Sequence, residues 1–62
     1  MSNYVRYYNR RQHMYRELAA NWKAWADGSG ISETQKLGMA IFFRHIGRRF
    51  GLIGEFQEIG VI

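Results

Sequence analysis

The stretch Asp27-Gly28-Ser29-Gly30-Ile31-Ser32-Glu33-Thr34-Gln35 decides the fold. Two glycines, an acid and a serine in its first four residues read as a turn, with Gly28 suited to the left-handed backbone that closes a helix. Its last four residues have the S-x-x-Q spacing of a capping box. There the Ser32 hydroxyl accepts from the Gln35 backbone while the Gln35 side chain reaches back. Glu33 adds a negative charge where the helix dipole is positive. One helix therefore ends and a second begins within nine residues.

Working upstream, residues 3–26 are predicted to be helical, with Ser2 or Asn3 capping the first turn. Tyr4, Tyr8, Arg11, Tyr15, Leu18, Trp22 and Trp25 recur at alternating spacings of four and three, a heptad-like stripe that predicts the buried face. Arg11 is the misfit in that seam. Downstream, residues 32–50 form the second predicted helix, with Gly51 as its stop. Met39, Phe42, Phe43, Ile46, Phe50 and Ile53 share its core face. Gly38 and Gly47 lie inside it, each costing about 1 kcal/mol relative to Ala. Either glycine is a place for close backbone approach or a tolerated defect. The tail, 51–62, reads equally as a short helical turn or an extended arm.

Two helices of about 20 residues joined at 27–30 make an all-α antiparallel hairpin in a single domain spanning 1–62. Sixty-two residues without cysteine have no disulfide to lean on, and a chain this short buries only ~60% of its unfolded surface. Tyr8, Tyr15, Trp22, Trp25, Phe42, Phe43 and Phe50 are more aromatics than one two-helix seam can hide. A second copy pairing into a four-helix bundle is the favoured solution, and a folded-back tail is the other. The layout is similar to that of short helical-hairpin proteins that dimerise into four-helix bundles, several of them small phage- or plasmid-borne regulators. That likeness is one of architecture and size, and it transfers no functional residue.

Several function classes receive no support from the residues. No G-x-S-x-G, phosphate-cradling glycine loop or H-E-x-x-H occurs, so neither an enzyme nor a cofactor is expected. His13 and Glu17, four apart, read as an exposed helix pair. Two histidines without cysteine make no metal ligand set. No run reaches the ~18–20 apolar residues of a membrane span, and the amino terminus shows no secretory pattern. A cytoplasmic setting is the expectation.

Binding is the remaining class. Nine Lys+Arg against five Asp+Glu leave a net charge of +4. Leu37, Ile41, Arg44, His45, Arg48 and Leu52 form a second stripe on helix two, away from its core face. Aliphatic anchors flanked by arginine suit a protein partner. The leading expectation is thus a non-enzymatic regulatory or adaptor protein that binds itself and another protein. Residues 4–16 interleave four tyrosines with four arginines. Arg6, Arg10, Arg16, Arg48 and Arg49 are accordingly the candidates for the alternative, nucleic-acid contact.

Overall fold

The computed structural model describes residues 3–62. Helix α1 spans Asn3–Ser29, α2 Glu33–Phe50 and α3 Ile53–Ile59. The cap expected at Ser2 lies outside the described residues. No strand occurs among them, and the body is a rod of 43 × 17 × 17 Å.

The reversal is tighter than the sequence suggests. Helix α1 runs three residues past 26, and Gly30, not Gly28, takes the left-handed conformation (φ 62°). Helix α2 then starts on the expected capping box: the Gln35 N–H donates to Ser32 Oγ at 3.2 Å and the Ser32 N–H to Gln35 Oε1 at 3.2 Å. It stops at Gly51 in the left-handed region, and the Leu52 N–H donates to the Gly47 carbonyl at 2.8 Å. Gln12 of α1 donates to the Phe50 carbonyl at 2.6 Å, satisfying one of the acceptors that a helix end leaves open.

The tail resolves as α3, folded back along one side of the hairpin. Phe43, Ile46, Phe50, Leu52, Phe56 and Val61 form the core with Ala19 of α1. Helix α3 docks closely because Gly47 has no side chain. A Cβ there would stand 2.8 Å from Ile53 Cδ1 and 3.2 Å from the Ile53 nitrogen. Gly38, by contrast, has nothing within 4 Å of where its Cβ would be. The two helical glycines therefore divide between the two readings their sequence allowed.

The α1 face that packs is displaced from the predicted stripe. Ala19 is fully buried whereas Leu18 is 40% exposed, and Ala26 is buried whereas Trp25 is 55% exposed. Ala19 and Ala26 follow Tyr15 and Trp22 at a spacing of four, so they extend the buried side of that seam. Leu18 and Trp25 lie on the edge of the seam away from Ala19 and Ala26, Arg11 is half-buried and Tyr4 is 71% exposed. The alanines also let the helices approach closely. Tyr8, Tyr15 and Trp22 remain half-buried against the core.

Candidate docking surfaces

Helix α3 covers only one flank of the hairpin. It meets α1 along Arg16, Ala20 and Lys23, where Arg16 Nε and Nη2 reach the two Glu55 carboxylate oxygens at 2.6 and 2.9 Å. The hydrogen bonds from the guanidinium, above all, hold the Glu55 carboxyl below the usual range and push Arg16 up. Partial burial opposes both shifts, and the opposite charges add to them. A carboxyl whose acidity is raised by folding stabilises the fold above its ordinary range, near pH 4.3. That stability is lost as pH falls through the lowered value. Acid titration of wild type should therefore loosen α3 from the mid-carboxylate range downward. Glu55→Gln, followed by helicity and proteolysis, should flatten that limb while changing neutral-pH stability only slightly, because the pair is half exposed. An unchanged acid limb in the variant would show that the pair does not tie α3 down.

The opposite flank is open. Tyr7, Met14, Leu18 and Trp25 of α1 and Phe42 of α2 are each two-fifths or more exposed. Their spacing puts the four α1 residues on one helical face. The trough between the helices deepens at the loop end into a hollow of about 310 Å³ lined by Trp22, Trp25, Gln35, Gly38 and Met39. The hollow is open to solvent. None of its lining residues titrates or carries a nucleophile. Nor is any cluster of three His, Asp or Glu close enough to hold a metal among the described residues. No helix among them is long and apolar enough to cross a membrane.

The second expected surface is only partly assembled. Leu37 and Ile41 are 64% and 59% exposed, and Arg44, His45 and Arg48 are exposed beside them. Leu52 does not belong with them, because it is wholly buried where α2 turns into α3. The signal for this was local. An apolar residue directly after a left-handed C-terminal glycine is the one that folds back onto the helix.

The cations are sorted by the fold. Arg16, Lys23 and Lys36 pair with Glu55, Asp27 and Glu33. Arg6, Arg10, Arg11, Arg44, Arg48 and Arg49 have no ion pair among the described residues. Because the helices are antiparallel, the start of α1 lies beside the end of α2. The Tyr8 and Tyr15 rings sit 5.6 and 5.3 Å from Phe50. Arg6, Arg10, Arg11, Arg48 and Arg49 therefore lie in the half of the rod away from the loop, with Arg44 nearer its middle, and together they form a loose collar. Arg11 lies over Tyr7 at 5.3 Å and Arg49 over Phe50 at 5.5 Å. Of the five expected nucleic-acid contacts, Arg6, Arg10, Arg48 and Arg49 belong to the collar. Arg16 does not, since Glu55 occupies its fork. His13 pairs with Glu17 at 3.2 Å, both exposed.

Comparison with protein-family models, curated proteins and solved structures finds no match for this chain.

Proposed function

We propose that this protein is a small non-enzymatic binding protein that acts through its helical surfaces, with a second copy of itself on the open flank and another protein on the outer face of α2. The observation that carries this reading is the apolar flank that α3 leaves uncovered. With roughly 150–250 Å² per aromatic side chain, its five exposed residues present about 400–500 Å² of apolar surface. That lies within the ~300–600 Å² of the largest patch on a typical monomer, a patch that is often functional. Two such faces, with their rims, reach the ~1,000 Å² that a specific interface needs.

A second copy suits the flank for an electrostatic reason as well. The middle of the stripe carries no charge, so two copies meet there without repulsion. An antiparallel pairing places the two arginine collars at opposite ends of a four-helix bundle, far beyond the ~8 Å screening length at physiological salt. A parallel pairing would bring twelve arginines together.

The mass in solution tests this reading. A species of twice 7.3 kDa is expected at micromolar concentration, reduced to the single-chain mass by Leu18→Asp with helicity kept. A wild-type monomer at ~100 µM would remove the self-association, since a dissociation constant above that corresponds to little more than ~5 kcal/mol. The outer face is supported by Leu37 and Ile41 standing exposed beside Arg44, His45 and Arg48. Ile41→Asp should abolish capture of a stoichiometric protein partner without altering the dimer. Unchanged capture would remove that face.

A further inference from the structure

We propose that the arginine collar is a binding site for single-stranded nucleic acid, with guanidinium groups on phosphates and Tyr4 stacking on bases. This goes beyond self-association and does not depend on it.

Three observations carry the inference. First, the chain's carboxylates pair with Arg16 and both lysines and leave the collar bare. The six arginines lack any acidic partner among the described residues, while both lysines are paired. All the unneutralised cations are thus guanidiniums, which fork onto phosphate oxygens and stack on rings. Second, aromatic rings stand among them. Tyr4 is 71% exposed, and Tyr7 is exposed beneath Arg11. Tyr4, left in water among guanidinium groups, offers the ring face that a base needs beside charges for its phosphate. Third, the geometry favours a flexible strand over a duplex. Helical periodicity puts Arg6 and Arg10 on the outer side of α1, and Arg44 and Arg48 on the outer side of α2. Arg44 and Arg48 flank a shallow hollow of about 230 Å³ with Gln57. Charges that encircle a rod 17 Å thick can all be reached by a chain that bends around it. A straight duplex would touch one side. An acidic polypeptide would satisfy the charges and leave Tyr4 without a partner.

The test is fluorescence anisotropy with a labelled oligothymidylate of about 15 nucleotides, a duplex of equal length and polyglutamate as competitors. Single-stranded binding is expected at ~50 mM salt. It should weaken ~50- to 300-fold by ~200 mM if four to six phosphates are contacted, from a slope of about −0.7 per phosphate. The double variant Arg10→Glu/Arg48→Glu, with helicity verified, should lose at least ~10-fold. Tyr4→Ala should lose roughly 5- to 150-fold with the salt slope unchanged, because stacking releases no counterions. Lys36→Gln, far from the collar, should bind as wild type does. The monomeric Leu18→Asp chain should keep the same salt slope, which separates failure of this proposal from failure of the dimer. No binding at ~50 mM salt would overturn the proposal, as would indifference to the arginine variants. Equal competition by polyglutamate would overturn the nucleic-acid assignment, and equal competition by duplex the single-strand assignment.

Discussion

Phe43→Ala is expected to lower the unfolding free energy by about 3–5 kcal/mol, the range for deleting a fully buried aromatic ring. Phe43 has no exposed surface and is among the largest of the wholly buried side chains. Its ring meets Phe56 of α3 edge-on at 5.3 Å and Phe42 at 5.4 Å, within the cluster that also holds Ala19 of α1. It is thus the point where all three helices meet, and no neighbour can swing in to fill the gap without breaking that junction. A domain of this size has about 3–9 kcal/mol in total, so the variant should be largely unfolded at 37 °C. Urea unfolding followed by circular dichroism measures this. Protein concentration must be held constant, because association would add to apparent stability. Phe43→Leu, which keeps most of the volume, should cost about 1.5 kcal/mol. A loss below ~1 kcal/mol in the alanine variant would mean that Phe43 is not the centre of the core.

Substitution of Gly47 should have the second largest effect, with a sign opposite to the one helix propensity predicts. Alanine is favoured over glycine inside a helix by about 1 kcal/mol. At Gly47, however, the added Cβ would stand 3.2 Å from both the Ile53 nitrogen and Phe56 Cδ2, besides 2.8 Å from Ile53 Cδ1. The Ile53 side-chain tip can turn away cheaply. The backbone nitrogen begins α3, and the Phe56 ring is wholly buried, so neither can give without moving the helix. Gly47→Ala should therefore destabilise by about 1–2 kcal/mol, and Gly47→Val by about 3 kcal/mol. In the valine variant α3 should detach first, seen as protease cleavage after Gly51 before global unfolding. Gly38→Ala supplies the internal comparison. With empty space at its Cβ, it should stabilise by about 1 kcal/mol. If both alanine variants stabilise, α3 does not pack on Gly47 as described.

The contrast between these two glycines shows how much of the molecule its residue order displays. Each lies inside a helix, and nothing adjacent to either distinguishes them. Only the arrival of α3, several residues later in the chain, makes one indispensable and leaves the other free. The candidate surfaces divide in the same way. Leu37, Ile41, Arg44, His45 and Arg48 were readable as one exposed stripe, because helical periodicity alone puts them there. Leu52 was misassigned by that same periodicity, since the helix has already ended at Gly51 and the next residue obeys the turn. Arg16 looked like its neighbours in the Arg/Tyr stretch until Glu55, 39 positions away, took its fork.

What the amino-acid order determined by itself was the helices and their limits near the second cap and the Gly51 stop. Those outcomes depend on hydrogen bonds and side-chain contacts between residues three to five apart. What only the tertiary structure decided was the phase of the α1 face, the flank that α3 covers, the apolar seam it leaves bare and which six arginines stay without an acidic partner. Each of these is set by distant segments competing for the same surface. A helix can present several faces at nearly equal local cost, and the face that is buried is the one whose small residues let a neighbour come close.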